Sequence, residues 1–219
     1  MNDNVINLGF YQVLLGYVFV AIVLFILKHE SIKREKVLIL ATFRMTLQLV
    51  LMGYVLTYVL ENPHPLITFL VLIVMVGFSV FTVFRKFKDR LFPSLRRVIL
   101  VALPVGTLVS LFYFLYVVVG IAPYYDPQYI IPVAGMIIGN SMTGISLGVH
   151  SMINRFTDQK EEVETALMLG ATRKDASKTI VREAFDAAIM PTLNSMLGMG
   201  IIFLPGMMTG QILSGVSPL

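Results

Sequence analysis

The sequence contains no cysteine. Disulfide staples and Cys-ligated metal sites are therefore excluded. Charge is scarce as well: 14% of the 219 residues are Asp, Glu, Lys or Arg, while 57% are hydrophobic. A soluble domain carries about 25% charged residues, so composition alone places this chain in a membrane. The first ten residues, MNDNVINLGF, hold no basic run ahead of the apolar segment that follows. That segment reads as a retained span, not a cleaved signal peptide. The pattern G-x-x-x-x-G-K-[ST] is missing throughout, which excludes a P-loop able to cradle ATP phosphates. No low-complexity linker, internal repeat or soluble-domain segment interrupts the chain.

What the chain does have is a series of apolar runs near the ~20 residues that cross a bilayer. Hydropathy places them at 8–27, 37–60, 66–84, 98–121 and 129–149, with a sixth, weaker stretch at 188–204. Backbone amides in lipid have to be satisfied inside helices or a closed barrel. The expected fold is therefore all-α: a polytopic bundle of about six membrane segments forming one transmembrane domain over 1–219, with a cytoplasmic hairpin at about 151–187.

Charge orients the bundle. Of 17 Lys and Arg, four lie in 28–36, six in 85–97 and six in 151–187, and Arg44 stands alone inside a span. The segments 1–9, 61–65, 122–128 and 205–219 have none. Basic and non-basic connections thus alternate, as the positive-inside rule requires. The N-terminus is expected outside and the hairpin inside. The net charge of +4 is explained by anionic headgroups and needs no nucleic acid.

The hairpin contains EEVETALMLGATRKDASK, residues 161–178. Met152, Phe156, Val163, Ala166 and Leu167 fall near helical spacing. Gly170 stands where a helix should stop, since glycine accepts the left-handed C′ conformation cheaply. Thr172 and Asp175 make a [ST]-x-x-[DE] pattern, in which a hydroxyl caps the next helix and a carboxylate reaches back. That helix is expected over 173–190, ending near Pro191, with Ala176, Ile180, Ala184 and Ala188 on one face. Three readings fit such a polar hairpin: a solvated amphipathic loop, a DNA-binding helix-turn-helix, or a docking element for a cytoplasmic protein. The DNA reading is the weakest. Its recognition helix would run into the bilayer and leave no face for a major groove.

Glu164-Thr165-Ala166, then three residues, then Gly170, with Ile180 ten residues further on, resembles the E-A-A-x-x-x-G coupling loop of ABC-transporter permeases. The Leu-Pro of that pattern is replaced by Arg182 and Glu183. "PVAGMIIGNSM" (132–142), "LGATRKDAS" (169–177) and "LPGMMTGQILSGVSP" (204–218), with Arg44 and Gln48, are similar to the small bacterial permease family that includes the iron-export permease FetB. Plant relatives of that family act in aluminium tolerance. The resemblance covers most of the chain, and P-G-M-M-T-G is its most specific part. It implies a non-enzymatic membrane subunit of the bacterial plasma membrane that exports a metal ion such as iron. A separate ATPase subunit would bind ATP and Mg²⁺, and this chain would bind no cofactor. Glu164, Ala166, Gly170, Ala171, Thr172 and Arg173 would couple to that ATPase: the elbow around Gly170 would insert into a cleft on it, and Glu164 would steady the hairpin or pair with a basic ATPase residue. Two ATPase subunits need two elbows, so one elbow per chain implies a homodimer. The resemblance also implies a further transmembrane helix after the S-P motif, beyond Leu219. A different class of function fits the same hairpin: a non-transporting anchor or sensor that recruits a cytoplasmic protein.

Pathway residues are read from cost. Arg44 and Gln48 share a helix face, and a charge in a span has to face protein or water. Arg44 either contacts an anionic group of the substrate or snorkels to the interface. Asn140, Ser141, Thr143 and Ser146 bring polar groups into the fifth span, where hydrogen bonding and small-residue packing are the commoner roles. The stretch 198–215 reads as a broken helix at Pro205 and Gly206. Met207, Met208, Thr209, Gly210 and Gln211 follow the break, and transporters place sites at such breaks; the other reading is an ordinary helix end followed by an outside loop with close dimer packing. The 13 methionines suit core gap-filling better than metal binding. His29, His64 and His150 form no ligand spacing, and no carboxylate lies inside a span, so the metal ligands stay unknown.

Overall fold

The structure, a computed structural model, describes residues 10–88, 90–202, 204, 206–213 and 215. These residues are almost wholly helical, as expected. In chain order they form α1 (Phe10–Gly16), α2 (Val18–His29), α3 (Glu35–Glu61), α4 (Pro65–Lys86) and α5 (Pro93–Phe112). The fifth helix continues as a π-helical segment, Tyr113–Val119. Then come α6 (Pro127–Asp158), α7 (Lys160–Met168), α8 (Arg173–Gly198) and α9 (Gly206–Leu213). Among the described residues, four stretches are long and apolar enough to cross a bilayer: α3, α4, α5 with its π continuation, and α6.

The chain clusters into two compact units, Met1–Asn62 with Gly206–Leu219, and Pro63–Pro205. In the first, the expected span at 8–27 is two helices, α1 and α2, that meet at Tyr17. Tyr17 is occupied there. Its hydroxyl shares a hydrogen bond of 2.5 Å with Thr46 Oγ1 on α3. Thr42 and Thr46 each donate back to the carbonyl four residues earlier, at 2.9 Å. A hydroxyl in an apolar helix satisfies itself in this way without breaking the ladder. Along α3 only Val59 is buried, so nearly the whole apolar helix is uncovered within this unit.

The second unit has a three-helix core. Leu72 and Val76 of α4, Leu111 and Leu115 beyond the middle of α5, and Ile130, Val133, Ala134 and Ile138 of α6 form one cluster. Val80, Val83, Phe87, Ile99, Leu103 and Val149 form a second, nearer the hairpin. Lipid tails are as apolar as leucine, so these contacts stabilise by close packing more than by escape from water. The helix starts at the end away from the hairpin are capped. Pro65 follows His64, whose Nδ1 accepts from the Leu66 amide at 3.3 Å. Pro127 follows Asp126, whose carboxylate accepts from the Gln128 amide at 2.9 Å. Proline at the first helical position has its fixed φ ready and no amide to waste.

One boundary is corrected. The helix after the elbow does not end near Pro191; α8 runs on to Gly198 with Pro191 inside it. Pro104 and Pro132 likewise lie inside α5 and α6. Proline deletes one ladder bond, but at membrane depth a helix end would leave several amides and carbonyls unpaired. The break comes later and for a different reason. Met199 is extended (φ −67°, ψ 132°) and Gly200 takes a left-handed φ of +88°. The chain turns before Pro205 is reached, and helix resumes at Gly206.

Candidate functional site

The elbow joins α7 to α8. At its first corner Gly170 has φ +89°, the left-handed conformation that glycine adopts without Cβ strain. The Gly170 amide donates to the Leu167 carbonyl at 3.1 Å and the Ala171 amide donates to the Ala166 carbonyl at 3.0 Å. These are the two bonds of a Schellman cap, and they satisfy carbonyls that α7 would otherwise leave open. At the second corner Thr172 is extended, and its Oγ1 accepts from the Asp175 amide at 3.2 Å. The expected box is modified. The Asp175 carboxylate does not reach back to the Thr172 amide; its Oδ2 accepts from the Thr172 hydroxyl at 2.5 Å. Aspartate is one methylene shorter than the glutamate that usually closes the box.

Both corners are thus locked by hydrogen bonds, and the side chains inside the angle pack. Val163 and Ala166 of α7 and Ala176 of α8 are half-buried, and Ile180 is buried at 2% exposure. Outside the angle the elbow offers Met168 and Leu169 almost fully, at 85% and 84% exposure. Sequence reasoning singled out the glycine and the cap and passed over these two. Their signal was present: large apolar residues immediately before a C′ glycine have no following turn to cover them. Glu164 sits one turn above Lys160 and meets it at 3.7 Å, with both side chains mostly in solvent. Such a pair is worth ~0.5 kcal/mol or less. Arg173 and Lys174 are exposed in the first turn of α8, where the helix dipole disfavours cations.

From the elbow, α8 runs back along α6. A Cβ on Gly148 would lie 3.1 Å from Ala188 Cβ and 3.3 Å from the Ala184 carbonyl, and one on Gly144 would lie 3.2 Å from the Ala188 carbonyl. Two small residues a turn apart on each helix therefore let the backbones touch. Nearer the elbow, Arg155 of α6 forms an ion pair with Glu183 of α8. Arg155 Nε also donates to Ser151 Oγ at 3.3 Å.

Between α5, α6 and α8 lies an open groove of about 640 Å³. Its walls include Thr107, Asn140, Ser141, Gly144, Gly148 and Thr192, among apolar side chains. Thr107 is satisfied by the Leu103 carbonyl at 2.8 Å. Asn140 lies near the middle of α6, is exposed, and makes no side-chain hydrogen bond among the described residues. Thr143 donates to the Gly139 carbonyl at 3.0 Å, and Ser146 is buried.

The other expected pathway residues belong to the first unit. Arg44 is half-buried on α3 and Gln48, one turn on, is exposed. Gly206, Met207, Met208, Thr209, Gly210 and Gln211 all lie on α9, with Met208 and Thr209 half-buried. Pro205 falls outside the described residues. Among the described residues, no three His, Asp or Glu side chains gather closely enough to hold a metal ion.

No solved structure matches the chain significantly. Among sequences, the "UPF0014 membrane protein YjkA" of Bacillus subtilis is 36% identical over 211 residues, 94% of this chain and 80% of that protein. The "Probable iron export permease protein FetB" of Escherichia coli is 27% identical over 204 residues, 93% of this chain and 77% of that one. "Protein ALUMINUM SENSITIVE 3" of Arabidopsis thaliana is 32% identical over 190 residues, 87% and 68% respectively. The profile of one family matches residues 10–219, and the chain belongs to that family, the uncharacterised protein family UPF0014.

Proposed function

We propose that the chain is the membrane subunit of an ABC-type exporter, working as a homodimer with a separate ATPase. The N-terminus would face outward and the elbow the cytoplasm. One observation carries this reading: Met168 and Leu169 stand exposed at 85% and 84% on an elbow capped at both corners. Large apolar side chains held rigidly in water mark a protein contact. Arg173 and Lys174 follow them against the preference of the helix dipole, which suits a cleft with an apolar floor and an acidic lip. The charge census supports a cytoplasmic position for this tip, where an ATPase would be. Asn140 adds support from the membrane. An unbonded carboxamide at bilayer depth has to face protein or water, as it would on the wall of a pathway. Iron as cargo rests on the name of the FetB relative. With no cluster of metal-binding side chains among the described residues, hydroxyls, carboxamides and backbone carbonyls would line the way.

The test is a search for a gene encoding a small P-loop ATPase beside this one, then co-expression and co-purification with its product, and ATP-dependent uptake of radioactive iron into inverted vesicles. Stable co-purification with uptake is expected. Co-purification without ATP-dependent uptake of iron or any other metal tried would leave a membrane anchor in place of an exporter.

The tip gives a sharper expectation. Replacing Met168 and Leu169 together by glutamate should weaken ATPase association by roughly thirty-fold, the equivalent of about 2 kcal/mol for a hot spot. Both side chains are exposed, so the yield and melting temperature of the membrane subunit should not change. Unaltered retention of the ATPase on an affinity column would contradict the docking surface.

A further inference from the structure

The ion pair between Arg155 and Glu183 fills the place where the resemblance to coupling loops fails, since Arg182 and Glu183 stand where that pattern has Leu-Pro. Glu183 lies in the first half of α8, between the elbow and the small-residue seam. Arg155 lies on the last turn of α6, just before Gln159 bends the chain into α7. The two side chains are each 39% exposed, and Arg155 is also held by Ser151 on its own helix. A partly shielded guanidinium–carboxylate pair with a second anchor is pre-organised, unlike the solvated Lys160–Glu164 pair.

Three of the contacts between α6 and α8 lie at Gly144, Gly148 and Arg155 along α6. At 1.5 Å per residue these span roughly 16 Å of helix. The two inner levels are backbone against backbone and resist sliding. On the elbow side of the seam α8 is held by apolar packing of Ile180, buried at 2% exposure, which fixes no direction as a charge-assisted hydrogen bond does. The ion pair adds a directional, charge-dependent attachment on the elbow side. Two helices fixed at three levels move as one body.

We propose that Arg155 and Glu183 act as positioning residues that clasp α8 to α6, so that displacement of the elbow moves both helices together and reshapes the groove against α5. This rests on the exporter reading for its purpose, but the clasp can be tested without it. The chain has no cysteine, so paired cysteines introduced for spin labels are unique. Labels at Lys174→Cys beside the elbow and Tyr129→Cys at the far end of α6 report the swing of α8 in full-length protein in phosphatidylcholine–phosphatidylglycerol nanodiscs. A narrow distance distribution is expected for the unmodified pair. Either Arg155→Glu or Glu183→Arg alone should at least double its width, and the double exchange, R155E with E183R, should restore it. Widths that ignore both single changes would overturn the clasp. So would single changes that broaden the distribution with no recovery in the double exchange, because attraction between the two charges would then not be what holds the helices.

A second readout belongs to the complex. All three variants should still retain the ATPase, because the tip is untouched. Iron transported per ATP hydrolysed should fall at least tenfold in each single variant and recover in the double exchange. Equal transport per ATP in every variant would show that the clasp does not transmit motion. If the unmodified chain retains no ATPase at all, the exporter reading fails while the distance measurement still decides the clasp.

Discussion

Gly170→Pro should abolish ATPase-coupled activity while leaving the membrane helices intact. The reasons are local and they add. Gly170 sits at φ +89°, whereas proline is confined near −65°. Its amide donates to the Leu167 carbonyl at 3.1 Å, and proline has no amide to donate. Leu169 before it is close to helical, with φ −77° and ψ 5°, a conformation that a following proline disfavours. The combined cost is about 3 kcal/mol or more, all of it at the corner that orients Met168 and Leu169. No clash of a Cβ with a residue beyond the chain neighbours contributes, because nothing lies within 4 Å of where it would stand. That gives the position a graded signature. Gly170→Asn should stay within about twofold of normal, since asparagine tolerates the left-handed region. Gly170→Val should lose most activity, its strain reaching about 2 kcal/mol. Gly170→Pro should lose at least tenfold in complex ATP turnover, with helix content by circular dichroism unchanged and faster amide exchange at Leu169 and Ala171. Full ATP turnover in the proline variant would remove the elbow from any coupling role. An order of effects that followed side-chain size instead of φ preference would point to a steric role for the site.

How much of this was legible beforehand depends on whether the signal was local. Apolar run length found the four stretches that are long and apolar enough to cross, because bilayer thickness sets a length that the chain has to match. Gly170 and Thr172 were legible because each acts within five residues of itself. Pro191 misled, since a rule for soluble helices was applied at membrane depth, where stopping a helix costs more than one lost bond. Gly200 turns the chain where α8 ends, and a single glycine among apolar residues gave little warning of it; the expected break at Pro205 lies outside the described residues. Ala184 and Ala188 were legible as one face of their helix, but their partners Gly144 and Gly148, and the Arg155–Glu183 pair, were not. Facing members are separated by 28 or more residues, and each looks ordinary on its own helix. Only the antiparallel return of α8 along α6 brings them together.

That seam carries the other large expectation. A Cβ at Gly148 meets Ala188 Cβ at 3.1 Å and the Ala184 carbonyl at 3.3 Å. The second neighbour is backbone and cannot rotate aside. Gly148→Leu should therefore push α8 off α6 over a full turn, costing about 1–3 kcal/mol by overpacking. It should lower the apparent melting temperature by about 5 °C or more. Helix propensity argues the other way, because removing a mid-helix glycine gains roughly 0.5–1 kcal/mol. Gly139→Ala separates the two effects. It lies on the same helix with nothing within 4 Å of its Cβ position, so it should be neutral or slightly stabilising, whereas Gly148→Ala should destabilise. Ala188→Gly removes the nearer obstacle, so it should recover part of the loss from Gly148→Ala, with a coupling of at least about 0.5 kcal/mol in a double-mutant cycle. Additive effects in that cycle would mean that the two helices do not touch where the structure places them. The clasp and the exporter reading would then lose their common support, since both need α8 to carry the elbow's motion into α6.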